Sequence, residues 1–170
     1  MKIKSNELIL FGMFGALIAA AQMALSFLPN IELVTLFIII FSLIYGRKAL
    51  YIVFVFIILM GLLHGFGTWW IGYVILWPLL SLITLLLKKW IIKRYLILAI
   101  YSGLFGLLFG LFYAIPYAVF GGINAGIVYW VSGIPYDIIH GVGNYFLMLL
   151  LGKKIFDIVN RLNKSYFQGN

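Results

Sequence analysis

The sequence predicts an all-α, polytopic membrane protein in which six helices cross the bilayer and both termini are cytoplasmic. The 170-residue chain is 65% hydrophobic and only 9% charged, which lies far outside the composition of soluble domains. Its 12 Lys and Arg residues occur only at the chain ends and in alternate gaps between apolar stretches. Short cytoplasmic loops of membrane proteins carry an excess of Lys and Arg, so the chain ends and the basic gaps are assigned to the cytoplasm.

Proline, glycine and charged residues delimit the apolar stretches. We expect helices over residues 7–27, 33–45, 49–63, 69–87 and 95–120, and a sixth from Pro135 past Leu151. Proline suits the first turn of a helix because its missing N–H would be unpaired there. Pro116 predicts a kink or break near the end of the fifth helix. Residues 121–133 are the longest outer connection, with space for one helical turn, and residues 1–170 form a single six-helix domain.

The N-terminus shares features with secretory signal peptides, because MKIK precedes an apolar run that contains Ala19, Ala20 and Ala21. Removal of this run would leave five spans and would break the charge alternation. We therefore expect it to be retained as the first transmembrane helix.

Several function classes are disfavoured by what the chain lacks. The net charge of +8 would indicate nucleic-acid binding in a soluble protein, but its segregation to one side is better explained by orientation and anionic lipid. There is no Cys, no GxxxxGK[ST] phosphate loop, no HExxH and no GxSxG. We expect no ATPase activity, no other catalysis and no cofactor, and with only two His residues we expect no metal site.

The best candidate site lies at the start of the predicted sixth helix. Asp137, His140 and Asn144 are three and four residues apart, so they project from one face near the outer surface. Ionisable residues in a span are costly and normally face a cavity or a partner, so these side chains are predicted to bind a polar solute. The alternative is that Asp137 caps its own helix and bonds His140.

Aromatic residues cluster at the predicted outer end of the fourth helix: Trp69, Trp70, Tyr73 and Trp77. Such a cluster forms either an interfacial belt or the wall of a pocket for a flat ring. His64 beside a glycine turn, Glu32 in the first outer turn and Tyr113 in the fifth helix lie at the same predicted level. We include all of these residues in the candidate substrate site.

Small residues recur every four positions on the first helix: Gly12, Ala16, Ala20 and Ala24. This spacing draws a smooth stripe along one face, where another helix can approach closely. The stripe predicts either a partner interface or packing within the same chain.

These features resemble the S components, the substrate-binding subunits of energy-coupling factor (ECF) vitamin importers of bacteria. The resemblance covers nearly the whole chain. It rests on the six-span size with basic inner loops and on the spacing of Ala16 and Ala20. It also rests on residues 29–35 (PNIELVT) and on residues 133–137 (GIPYD) followed by His140, Gly143 and Asn144.

The resemblance implies a multi-pass protein of the bacterial cell membrane that binds a vitamin on the outer face. It implies assembly with an ECF module of one transmembrane scaffold subunit and two ATP-binding subunits, with Ala16 and Ala20 against the scaffold. The aromatic content favours a one-ring vitamin, such as a form of vitamin B6 or a related pyrimidine. Cobalamin is the main rival, because the PNIE and GIPYD segments also resemble cobalamin-type S components. A self-sufficient permease is a further alternative, although the inverted repeat common in permeases is not visible.

Overall fold

The computed structural model describes residues 3–92 and 94–167, which are almost entirely helical and contain no strand. The helices are α1 (Ser5–Ala24), α2 (Val34–Tyr45), α3 (Ala49–His64), α4 (Thr68–Ile91), α5 (Tyr95–Gly121) and α6 (Ile123–Phe167). A 3-10 turn, Gly46–Lys48, joins α2 to α3. The predicted all-α class is confirmed.

Four helical segments in the described part of the chain are long and apolar enough to cross a membrane. They are Ser5–Ala24, Val34–His64, Thr68–Ile91 and Tyr95–Gly121. Large apolar side chains also cover the outside of the bundle, as shown by Leu86 at 79% and Trp90 at 74% exposure. Such a surface suits lipid rather than water. The membrane-helix character is confirmed, while the number of spans and the side of the termini stay predictions.

The bundle has two chemically different ends. At one end Lys48, before α3, pairs with Glu7 in the first turn of α1. At the same end the Lys88 ammonium of α4 donates to the Leu43 carbonyl of α2 at 2.7 Å. We call this the basic end, and we call the opposite end, where Glu32 and His64 line one cavity, the cavity end. Helices α1 to α4 therefore alternate in direction along the chain.

Helix α2 forms the centre of the bundle. Its residues 34–43 are all buried, and it contacts each of the other α-helices described above. A helix that is apolar all round is suited to such a position, since no face has to meet solvent. The Ser42 hydroxyl bonds both the Ile38 carbonyl and the Ser81 hydroxyl, so its polar atom is satisfied within the core. The last turns of α2 are thereby tied to α4.

Helices α5 and α6 form the most extensively packed pair, and glycine makes this possible. A Cβ atom added at Gly106 would lie 2.8 Å from the Gly141 Cα, and one added at Gly103 would lie 3.1 Å from the Gly141 carbonyl oxygen. The two backbones are therefore too close for larger residues at these positions. This close approach positions the buried face of α6, which carries three of the candidate site residues.

The predicted start of the sixth helix at Pro135 is wrong. Helix α6 begins at Ile123, and Gly122, with φ of 84°, is the whole connection from α5. Residues 123–133 are helical because they pack on the outer part of α5: the Tyr129 and Tyr117 rings are stacked with centroids 4.0 Å apart. Pro135 lies inside α6.

Pro116 does not interrupt α5, which continues to Gly121. The expected break is therefore absent. Packing against the first turns of α6, including Gly126 against Ala118, supports the helix beyond the proline.

Candidate functional site

A cavity of about 360 Å³ opens at the cavity end of the bundle. Its walls come from the end of α1, the α1–α2 connection and parts of α2 to α6. The polar residues that line it are Gln22, Ser26, Asn30, Glu32, His64, Tyr73 and His140. Trp77 and Phe109 supply the largest apolar surfaces. Five of the predicted substrate-site residues line this one cavity: Glu32, His64, Tyr73, Trp77 and His140.

The polar side of the cavity is built around Glu32. The His140 Nε2 lies 2.9 Å from Glu32 Oε1, and the Thr35 backbone N–H donates to Oε2 at 2.8 Å. The Thr35 hydroxyl donates to Oε1 of the same carboxylate and accepts a hydrogen bond from Asn144 Nδ2 at 3.1 Å. Two helix faces, the start of α2 and the middle of α6, therefore hold Glu32 in one position.

The pKa of Glu32 reflects this arrangement. Burial raises the pKa of the carboxyl, but the hydrogen bond and charge of His140 and the two hydrogen bonds from Thr35 outweigh burial. The net pKa lies below the ordinary value of 4.5. Glu32 is therefore an anion at neutral pH, next to the cavity.

A second part of the cavity lining is aromatic. The Tyr73 and Trp77 rings meet edge to face with centroids 5.5 Å apart, and the Trp77 and Phe109 rings are tilted with centroids 5.7 Å apart. The Phe109 ring also lies 4.8 Å from the His140 ring and so connects the aromatic and polar sides. Gln22 Nε2 donates to the Tyr73 hydroxyl at 2.6 Å, which ties α1 to α4.

Three buried polar atoms of lining residues have no hydrogen-bond partner among the described residues: Gln22 Oε1, Trp77 Nε1 and His140 Nδ1. These atoms are themselves buried, so they are enclosed by neighbouring side chains rather than presented to the cavity. The cavity thus combines an anionic carboxylate with aromatic walls.

The other predicted site residues lie outside the cavity lining. Trp70 Nε1 donates to the Ile57 carbonyl at 2.9 Å, which anchors α4 on α3. The Tyr113 hydroxyl donates to the Trp69 carbonyl and anchors α5 on α4. Asn144 reaches the site only through Thr35.

Asp137 faces α5 rather than the cavity. Its Oδ1 accepts a hydrogen bond from the Gly110 backbone N–H at 2.9 Å. Asp137, His140 and Asn144 do share one buried face of α6, with exposures of 5%, 3% and 2%. Helical spacing therefore places all three on one face of α6. Their partners differ, because Asp137 bonds Gly110 of α5, His140 bonds Glu32 and Asn144 bonds Thr35.

Gln22 and Phe109 were missed by the sequence reasoning. Gln22 carries a usable signal, since a polar residue inside an apolar helix often marks a site. Phe109 also carries a signal, because aromatic residues recur every four positions along one face of α5: Tyr101, Phe105, Phe109, Tyr113 and Tyr117.

The small-residue stripe on α1 faces away from the bundle. Ala16, Ala20 and Ala24 are exposed, and a Cβ atom added at Gly12 would meet nothing within 4 Å. The adjacent face of α1 packs on α3, where a Cβ atom added at Gly15 would lie 2.6 Å from the Val55 Cβ. Within the described residues, packing of α1 uses the Gly15 face and leaves the stripe open.

Glu32 and His140 have no third ligand for a metal ion, since no group of at least three His, Cys, Asp or Glu residues suited to a metal occurs among residues 3–92 and 94–167.

Comparisons of the chain with known protein families, with curated proteins and with solved structures found no match.

Proposed function

We propose that this chain is the substrate-binding subunit of a multi-subunit importer of the bacterial cell membrane, and that it captures a small water-soluble vitamin. The observation that carries the proposal is the cavity at one end of an apolar bundle, lined by ionised Glu32 together with Tyr73, Trp77 and Phe109. Ligand pockets typically combine such apolar walls with a few well-placed polar groups. Binding alone accounts for this set of residues, so we propose no catalytic step.

The volume of the cavity favours a small ligand. At about 360 Å³ it is near the lower end of the range of about 300–1,000 Å³ for ligand pockets. A single-ring vitamin, such as a form of vitamin B6 or a related pyrimidine, suits this space. Cobalamin, with its corrin macrocycle and nucleotide arm, is several times larger. We therefore favour the one-ring ligand over cobalamin.

The proposed partner is an ECF module, whose two ATP-binding subunits would supply ATP hydrolysis. The chain itself has no phosphate-loop motif for that reaction. The exposed Ala16 and Ala20 support a contact with the scaffold subunit, because small residues allow close helix approach in lipid. We further propose six spans, with the basic end and both termini in the cytoplasm and the cavity open to the outside. This orientation brings the cavity to the side from which the vitamin arrives.

Mass spectrometry of small molecules that co-purify with the chain tests the capture proposal. We expect a one-ring vitamin with the parent protein and much less of it with Trp77→Phe, which removes part of an aromatic ring that lines the cavity. Trp90→Phe is the matched control, because Trp90 is exposed near the basic end of α4. Equal retention by both variants, or no ligand at all, would contradict the proposal.

Reconstitution tests the transport role. The chain alone in liposomes should bind the vitamin without accumulating it, and accumulation should require the ECF module and ATP. Sustained uptake by the single chain under an ion gradient would instead establish a permease.

Single-cysteine labelling tests the orientation, since the chain has no Cys of its own. In cells with the wall removed, an impermeant thiol reagent should modify Thr68→Cys, near the cavity end. It should modify Lys164→Cys only after lysis. The reverse pattern would overturn the assignment of the two ends.

A further inference from the structure

We propose that the ligand of the cavity is a neutral or cationic one-ring nitrogen heterocycle without a phosphate or carboxylate group. This inference rests on the proposed capture of a small solute and adds its charge class. It follows from the charged residues that line the cavity. It also follows from the donors at the start of α2, which already bond the Glu32 carboxylate.

The charged groups at the cavity disfavour an anion. Among the described residues that line the cavity, Glu32 is the only acidic one and none is Lys or Arg. Lys48 and Lys88 are held at the basic end, by Glu7 and by the Leu43 carbonyl. The length of α2 separates them from Glu32: 12 residues, or about 18 Å at about 1.5 Å per residue. A ligand anion would therefore meet a carboxylate that no Lys or Arg of residues 3–92 and 94–167 offsets at the cavity.

The start of α2 would ordinarily attract an anion, because the first N–H groups of a helix are unpaired within the helix. Here the Glu32 carboxylate already accepts the Thr35 backbone N–H at 2.8 Å and the Thr35 hydroxyl. The protein's own carboxylate thus uses donors that a ligand phosphate would need.

The histidines do not reverse this balance. His140 Nε2 is directed at Glu32 Oε1, so a protonated His140 would be compensated by Glu32 rather than left for a ligand anion. His64 is exposed at the end of α3, with its ring edge to face with Trp69 at a centroid distance of 6.2 Å. Tyr73 is the remaining titratable residue of the lining, and it is neutral or negative.

The polar group that the cavity presents indicates what the ligand should carry. The Glu32 carboxylate favours an N–H, O–H or ammonium donor beside it. A nitrogen heterocycle that packs on the aromatic lining formed by Tyr73, Trp77 and Phe109 and directs a donor at Glu32 meets this requirement.

Calorimetric titration of the full chain in detergent tests the charge class with matched ligand pairs. The pairs are pyridoxine with pyridoxine 5′-phosphate, pyridoxamine with its 5′-phosphate, nicotinamide with nicotinate, and 4-amino-5-hydroxymethyl-2-methylpyrimidine with its phosphate. Measurement at pH 8 keeps an unperturbed imidazole neutral. We expect at least one uncharged or cationic member to bind, and its anionic counterpart to bind at least about ten-fold more weakly.

The inference is overturned if an anionic member binds as tightly as its counterpart, or if no member binds. The proposal that the chain captures a vitamin is tested separately, by identifying the small molecule that co-purifies with it. An anionic or multi-ring vitamin found there would leave capture intact and refute the charge class, whereas absence of any bound vitamin would refute capture.

Glu32→Gln tests whether this carboxylate sets the selectivity, since it removes the charge and keeps the side-chain shape. The ratio of the two affinities within the selected pair should fall toward one. Glu7→Gln is the matched control at the basic end and should leave the ratio as in the parent protein. An unchanged ratio in a folded Glu32→Gln variant would refute the assignment, and if that variant does not fold, the ratio in the parent protein still decides.

Discussion

His140 Nε2 lies 2.9 Å from Glu32 Oε1 and thereby joins the middle of α6 to the connection before α2, 108 residues away in the chain. Both residues line the same cavity. A ligand that contacts either residue would therefore influence how α6 is held against the centre of the bundle.

Replacement of His140 by Ala should destabilise the protein. Glu32 would lose one of its partners while staying partly buried, which costs about 1–3 kcal/mol of unfolding free energy. Thermal unfolding in detergent would measure the loss. His64→Ala is the matched control and should change little, because His64 is exposed. Equal stability of His140→Ala and the parent protein would show that the hydrogen bond contributes nothing.

Acid should remove the stabilisation that Glu32 provides. The folded-state pKa of Glu32 lies below its ordinary value of 4.5, so its contribution is complete above pH 4.5 and is lost as the pH falls through the folded-state value. The stability difference between the parent protein and Glu32→Gln should therefore shrink on acidification below pH 4.5. Comparison below about pH 5 leaves an unperturbed imidazole protonated throughout. A difference that grows with acid would contradict the sign of the shift.

Gly106→Ala should weaken the packing of α5 on α6. The new Cβ would lie 2.8 Å from backbone atoms of Gly141, and such overpacking typically costs about 1–3 kcal/mol. Gly133→Ala on α6 is the control, since a Cβ there meets nothing within 4 Å. That change should be neutral or stabilising by up to about 1 kcal/mol, because Ala favours a helix more than Gly does. Similar thermal stabilities of the two variants would contradict the close helix approach.

Ala20→Leu should separate transport from binding. Ala20 is exposed on α1, so the folded chain should keep its ligand affinity while uptake by the complete importer is lost. Ala19→Leu, one residue earlier, should instead lower stability, because Ala19 is buried with 5% exposure. Titration of ligand and transport assays on both variants distinguish the two faces. Unimpaired uptake by Ala20→Leu would remove the stripe from the partner interface.

Asp137→Ala should act on stability rather than on ligand affinity. The change removes the buried hydrogen bond from the Gly110 N–H to the Asp137 carboxylate at a cost of about 1–3 kcal/mol, yet Asp137 does not line the cavity. Calorimetry on the surviving folded protein should give the affinity of the parent. A ten-fold loss of affinity would show that Asp137 takes part in ligand binding.

The sequence by itself determined the helical class, the membrane character and most helix limits, because apolar stretches and their breakers act locally along the chain. It also determined that Asp137, His140 and Asn144 share one face of α6, since helical spacing dictates side-chain direction. The start of α6 could not be predicted from the sequence, because residues 123–133 become helical through packing on α5 rather than through local signals.

Only the tertiary structure decided which polar residues meet. Glu32 and His140 become partners because α2 lies at the centre of the bundle, and Asp137 is directed to Gly110 because α5 passes it at that depth. It also selected Phe109 from many aromatic residues and left Ala16 and Ala20 open on α1. These outcomes depend on which helix faces which, and helix packing in a uniformly apolar chain is specified by small residues and scattered polar contacts rather than by hydrophobicity.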